Sequence, residues 1–200
     1  MLRPFHEVFV CLISILFLSF VNIENEKTVK DFHLLNVNGK MVSLKDYPKA
    51  KGFIIVFTCN HCPFAKLYPE RMNKLNSKYK SLGVPLIAIS STDTVLFEED
   101  TYPKMMEKSK TEKFNYPYLF DELQAAAKNF GAQKTPHAFV IWKEKDEYII
   151  KYSGAIDDNG AEPVKVKQHF VEDAVNALLE GKIISTPKTS SIGCQIKFRK

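Results

Sequence analysis

The sequence predicts an α/β sandwich built on a mixed sheet, and three observations carry that prediction. Residues 53–57 (FIIVF) and 84–90 (VPLIAIS) are continuous apolar runs, as expected of strands buried on both faces. Residues 63–82 show helical spacing between them, so the two strands are joined by a crossover. Residues 138–142 and 148–153 flank the charged turn 143–147 and read as an antiparallel pair.

Each element has its own signal, in chain order. Residues 8–21 (VFVCLISILFLSFV) form an apolar run after Arg3 and His6. Its length is short of the ~20 residues a bilayer-spanning helix needs and suits the core of an export signal. Glu7 at its entry and the poor cleavage site Ser19-Phe20-Val21 leave an uncleaved membrane anchor as the rival reading. Residues 32–37 alternate, turn at Asn38-Gly39-Lys40 and resume at 41–44, which predicts a hairpin. The helix 63–82 ends at Gly83, with Pro69 inside it removing a bond to the Ala65 carbonyl. A kink there is expected, or a helix that restarts at Pro69. A polar stretch, 91–99, leads to a helix around 102–109, and a short helix at 122–130 is closed by Gly131. Residues 164–180 form an amphipathic helix with Val171, Val175, Leu178 and Leu179 on one face and Gly181 just past the end. The resulting division is a signal peptide or anchor at 1–22, one domain at 23–186 and a tail at 187–200.

Composition narrows the function classes. Of 200 residues, 45% are hydrophobic and 26% charged, which excludes wholesale disorder. The net charge, 28 − 23 = +5, is spread along the chain, and without a basic stripe no nucleic-acid partner is expected. Four cysteines are too few for a disulfide-built scaffold. Their spacing is the informative part.

Cys59 and Cys62 form a Cys-x-x-Cys in the segment Thr58-Cys59-Asn60-His61-Cys62-Pro63-Phe64, where a buried strand becomes a helix. A helix N-terminus carries unpaired N–H groups and about half a positive charge, so a thiolate at Cys59 is expected to be stabilised. Cys62, one turn further on, is within reach of Cys59 for a disulfide. Cys59 is expected to be the less covered sulfur and the attacking one, with Cys62 resolving the mixed disulfide. A protonated His61 would favour the thiolate and make the disulfide more oxidising. Zinc needs four ligands, and neither a second Cys pair nor paired spacing of His33, His137 and His169 supplies them. A c-type haem needs a His where Pro63 stands. Two inert core thiols are the remaining alternative. No cofactor is expected beyond the redox-active disulfide Cys59–Cys62.

Thr135-Pro136 precedes the strand that starts at His137. X-Pro bonds are most often trans. A cis bond there would leave the Thr135 backbone open to pair with a substrate chain. Asn60, Thr135 and Pro136 are the expected substrate-contacting residues.

Together these features resemble the thioredoxin superfamily, and more narrowly its redoxin branch of AhpC/TSA-type and TlpA-like proteins. The matching stretches are FHLLNVNGKMVSL, FIIVFTCNHC, NYPYLFDELQ, GAQKTPHAFV and KYSGAIDDNG, and the likeness covers about residues 30–198. The pattern Tyr-x-Gly-x-Ile-Asp-Asp (Tyr152 to Asp158) and the run Gly193-Cys194-Gln195-Ile196-Lys197 resemble a subgroup of thioredoxin-like proteins grouped with the peroxiredoxins. The resemblance implies a thioredoxin-like three-layer α/β/α sandwich with a central mixed sheet. It also implies Cys59 as attacking thiol, Cys62 as resolving thiol and Pro136 as a cis-proline. Two departures stand out. The strand FIIVF lacks the acid that many thioredoxins bury there, and the Pro-x-x-x-Thr-x-x-Cys of peroxidatic sites is absent, Val56 standing three before Cys59.

The leading expectation is an exported (periplasmic or secreted) thiol–disulfide oxidoreductase. Its substrates would be protein or small-molecule thiols and disulfides, with a partner protein to reduce or oxidise it. A thiol peroxidase, with Cys59 oxidised by peroxide and Cys62 condensing on the sulfenic acid, is the second reading. A secreted non-catalytic binding module is the third. Cys194, on the polar tail, is a third redox thiol, a partner for another chain, or a free or packed bystander. Asp157 and Asp158 read as a turn with solvated charges rather than as a cation site.

Overall fold

The computed structural model describes residues 27–199. The expected signal or anchor at 1–22, with Cys11, lies outside the described residues. Among the described residues no helix is long and apolar enough to cross a membrane.

The chain runs β1 (Thr28–Val29), β2 (Leu34–Asn36), β3 (Met41–Val42), β4 (Gly52–Phe57), α1 (Pro69–Tyr79), β5 (Leu86–Ser90) and α2 (Tyr102–Thr111). It continues through β6 (Tyr118–Phe120), α3 (Ala125–Phe130), β7 (Lys134–Thr135), β8 (His137–Glu144), β9 (Glu147–Gly154), α4 (Phe170–Leu179) and β10 (Cys194–Gln195). Eight strands make one mixed sheet in the order β1-β9-β8-β4-β5-β6-β2-β3. The pairs β4–β5 and β5–β6 are parallel and the rest antiparallel.

Strand β4 is central, and every one of its residues is buried, as its unbroken apolar run requires. Ile54 and Val56 face a core shared with Met72, Leu75 and Tyr79 of α1, Met105 of α2, and Val171, Ala174 and Val175 of α4. Phe53, Ile55 and Phe57 face the opposite core, with Leu44 and with Ala126, Ala127 and Phe130 of α3. Helices on both faces of one sheet give the expected three-layer α/β/α sandwich.

The front hairpin forms where Asn38-Gly39 predicts it, with Gly39 at φ +81° in the left-handed region. Other boundaries differ from expectation. The helix expected at 63–82 is broken into a 3-10 turn (Ala65–Leu67), α1 and a second 3-10 turn (Lys80–Leu82). Pro69 has no N–H to give the Ala65 carbonyl; the Tyr68 N–H takes that carbonyl at 3.2 Å, and the helix restarts. Helix α4 begins at Phe170 rather than 164, because Val164 is exposed and belongs to a separate 3-10 turn. Helix α3 begins at Ala125, where the Asp121 carboxylate receives the N–H groups of Ala126 and Ala127.

The separate tail expected from residue 187 is also corrected. Ser153 donates its N–H to the Pro187 carbonyl (3.0 Å) and accepts the Thr189 N–H (3.0 Å), Tyr152 Oη meets Thr189 Oγ1 at 2.6 Å, and β10 pairs antiparallel with β7. Residues 187–196 are therefore part of the domain. Their short polar stretch carries no periodic signal of its own, and its partners lie far away in sequence.

Candidate active site

Strand β4 ends at Phe57, and the chain then turns through residues 58–64 at the C-terminal end of the sheet's central strands. Thr58 still donates to the Ile89 carbonyl (2.9 Å), so the motif is anchored at its root. Cys59 and Cys62 are 1% and 0% exposed, and burial does not single out one of them as the more open thiol. Both converge on one residue across the sheet. Cys59 Sγ lies 3.1 Å from Thr135 Oγ1, and the Cys62 thiol donates to the Thr135 carbonyl at 3.1 Å. The Thr135–Pro136 bond is cis.

The dithiol was expected at the N-terminus of a helix kinked at Pro69, or restarting there; the structure has the restart, which leaves the thiols ahead of the regular helix. Regular helix begins only at Pro69; at the thiols there is a turn followed by a 3-10 segment. One helical bond, Lys66 N–H to the Cys62 carbonyl (3.1 Å), is all that starts there. Pro69 has no N–H for the Ala65 carbonyl and so interrupts the helix, whereas Pro63 falls in a first turn that needs no donor.

The thiol acidities follow from these contacts. The Cys59 S–H, hydrogen-bonding to Cys62, draws the Cys62 thiol far below its ordinary range, helped by Cys194 and by the Ala65 backbone. That same bond, then burial and the Asp100 carboxylate, push Cys59 up. In the reduced pair the two sulfurs share a proton, so the acidity belongs to the couple rather than to either thiol alone.

Asp100 is the residue that sequence reasoning missed. It is fully buried, 41 positions past Cys59 in a 3-10 turn (Glu98–Asp100), and its side chain turns back onto the motif. It accepts the Asn60 N–H (2.5 Å) and the His61 N–H (3.3 Å), and it pairs with His61 Nδ1. The His61 ring stacks on Phe97, with centroids 3.8 Å apart. Reactive atoms of Cys59, His61 and Asp100 lie within 4.8 Å of one another, the spacing of a metal site. Three donors fall short of the four that structural zinc takes, and two of the three are already bonded to each other. Nothing near Asp100 in the sequence marks it; only the loop's return across the sheet does.

Asn60 was expected to touch substrate. Instead it is buried, donating from Nδ2 to the Glu99 carbonyl (2.6 Å) and accepting from Tyr118 Oη (3.0 Å). Its role is to brace the loop that carries Asp100. Thr135 was expected to offer a free backbone edge. That edge is occupied, because Cys194 of β10 is registered opposite Thr135 and Gln195 opposite Lys134. Gly193 makes the approach possible, since a Cβ there would fall 2.0 Å from the Thr135 carbonyl oxygen. The Cys194 N–H points at Cys62 Sγ, 3.4 Å away, and the Cys194 side chain packs on the Cys59, Cys62 and Ala65 cluster.

Two further groups have structural parts. His137, next to Pro136, is buried with Nε2 on Ser153 Oγ (3.1 Å), and burial drives its pKa down to about 4. Asp157 receives Arg71 Nη1 (2.7 Å) and Tyr68 Oη (3.2 Å), and Asp158 caps the Lys167 N–H (2.9 Å). Asp158 is exposed, as expected of a solvated turn residue, but Asp157 is buried and ion-paired with Arg71, so the expectation of solvated charges is corrected there.

A Cys-x-x-Cys at the end of a central strand, facing a cis-proline across an α/β/α sandwich, defines the class of thioredoxin-like proteins. Within it, this chain belongs to the AhpC/TSA family, which it matches over residues 26–159. It is 30% identical over 125 residues to the thiol-disulfide oxidoreductase ResA of Bacillus thuringiensis subsp. konkukian. That match covers 62% of this chain and 66% of the relative, just under two thirds of its length. A hypothetical protein of Sinorhizobium meliloti 1021 is 31% identical, superposes with a TM-score of 0.79, and aligns over 87% of this chain and 94% of its own. The pneumococcal exposed lipoprotein thioredoxin Etrx1 of Streptococcus pneumoniae, 18% identical over 76% of this chain and 99% of its own, shares the fold with a TM-score of 0.56.

Proposed function

We propose that this protein is a thiol–disulfide oxidoreductase acting through Cys59 and Cys62. The observation that carries the reading is their convergence on Thr135: two buried sulfurs, each 3.1 Å from an oxygen of the residue before the cis-proline. The likeness to ResA supports it.

In the reducing direction, Cys59 attacks a substrate disulfide, and the leaving sulfur departs as a thiolate and takes up a proton. Cys62 then attacks Cys59 Sγ, releasing the second substrate thiol and closing the Cys59–Cys62 disulfide. The substrate gains two electrons and the protein loses two. Cys59 is the sulfur beside the His61–Asp100 pair, whereas Cys62 lies under Thr135 and Cys194. Because burial and the shared proton hold Cys59 as a thiol, its attack needs an acceptor, and the His61–Asp100 pair is the one within reach. Asp100 thereby stands in for the strand acid that FIIVF lacks. Oxidation of thiols runs the same steps backwards. Export through residues 1–22, with dithiol or disulfide partners outside the cytoplasm, belongs to this reading.

Reduction of insulin by dithiothreitol tests it. Wild type is expected to accelerate precipitation and Cys59→Ser to return it to the uncatalysed rate. A wild type no faster than dithiothreitol alone refutes the proposal, and peroxide-dependent thiol oxidation in its place moves the protein to the peroxidase reading. Equilibration with glutathione then gives the direction, near about −270 mV for a reductant and about −120 mV for an oxidant.

A further inference from the structure

We propose that Cys194 is a third redox-active thiol that forms a disulfide with Cys62, so that the oxidised protein can hold its disulfide in either of two positions. The inference rests on Cys59 and Cys62 being a redox couple, and adds a sulfur that this couple does not require.

Three independent features of the fold put Cys194 there. The β10–β7 ladder registers Cys194 opposite Thr135, the residue both other thiols touch. Gly193 lets the strand press against the Thr135 carbonyl at a distance no Cβ tolerates. The Cys194 N–H reaches Cys62 Sγ at 3.4 Å, and its side chain packs against the Cys59, Cys62 and Ala65 cluster. The run Gly193-Cys194 is thus explained as a pair: the glycine permits the approach and the cysteine delivers a thiol. Residues 187–196 occupy the edge of Thr135 that an incoming chain would otherwise use, so Cys194 sits where the chain's own tail plays the substrate.

The exchange balances within the protein. Cys194, as a thiolate, attacks Cys62 Sγ of the Cys59–Cys62 disulfide. The Cys62–Cys194 bond forms, the Cys59–Cys62 bond breaks, and Cys59 leaves as a thiolate that takes the proton Cys194 gave up. No oxidant is consumed, and Cys59 is freed while the protein stays oxidised. In the reduced protein Cys194 is quiet: burial, then the hydrogen bond and charge of Cys62, raise it to about 11. Tying Cys62 to Cys59 removes the two Cys62 contributions, so oxidation of the pair itself readies Cys194.

The test uses the full chain, reduced, desalted, oxidised with glutathione disulfide, quenched with N-ethylmaleimide and digested with trypsin. In Cys59→Ser, peptide 52–66 is expected to be linked to peptide 189–197, and the link is expected to vanish in Cys59→Ser/Cys194→Ser. Recovery of Cys62 and Cys194 from Cys59→Ser only as separate maleimide or glutathione adducts overturns the proposal. Wild type covers the case of a misfolded variant. It should show both the internal disulfide of peptide 52–66 and the link to 189–197. The internal disulfide alone overturns this proposal and leaves the oxidoreductase reading standing. Absence of the internal disulfide at every glutathione ratio overturns both.

Discussion

Replacing Gly193 by alanine is the sharpest probe of how the tail is held. The added methyl would sit 2.0 Å from the Thr135 carbonyl oxygen, 2.7 Å from its carbon and 3.2 Å from Pro136 N. All three are backbone atoms next to the central strands and have nowhere to go. The tail must lift by about 1.5 Å to restore an ordinary contact. A shift of that size carries the Ile196 N–H···Gln133 O bond, now 2.9 Å, well past hydrogen-bonding range. It also pulls the buried Ile196 side chain from its core. One lost bond is about 1 kcal/mol and one uncovered isoleucine about 2 kcal/mol, so docking should weaken by about 3 kcal/mol. Hydrogen exchange read by mass spectrometry is the assay. Amides of residues 190–197 should exchange about a hundredfold faster, while those of β4, β5 and β8 keep their protection. Unchanged tail exchange would refute the close-approach argument. A loss spread evenly over the domain would refute the claim that the tail is a local unit.

Two other outcomes follow from buried charge. Arg71→Ala leaves the Asp157 carboxylate buried without its partner, which typically costs about 3–5 kcal/mol, so thermal melting should fall by about 10 °C; an unchanged melting temperature would show that the pair contributes nothing. His137 is held neutral, its pKa lowered by burial to about 4 against an unfolded value of about 6.5. Above that unfolded value neither state binds the proton and His137 has no effect. As pH falls from about 6.5 to about 4 the unfolded chain takes up a proton the fold refuses, and stability drops by up to about 3 kcal/mol. Urea melts of wild type and His137→Gln across that window should diverge; parallel curves would remove His137 from the account.

Much of the architecture was legible because it depends on short-range pattern. The run FIIVF could only be a strand covered on both faces, and β4 is one. Asn38-Gly39 could hardly be other than a tight turn. Strand β6 was missed since three residues, Tyr118–Phe120, carry too little periodicity. The ends of α1 and α4 were misplaced because spacing alone does not say which turn of a helix finds a core.

At the site, the sequence by itself determined the chemistry available: two thiols three positions apart after a buried strand, and a proline before another. It did not determine who touches whom. Asp100, Thr135 and Cys194 lie 41, 76 and 135 positions from Cys59, and only the packing of strands and loops brings them to it. That is why Asn60 reads as a substrate contact in the sequence but braces a loop in the fold. It is also why the acidity of the pair could not be read from its position after a strand. The acidity of a thiol is set by its nearest donors, charges and burial, and these come from segments far away along the chain.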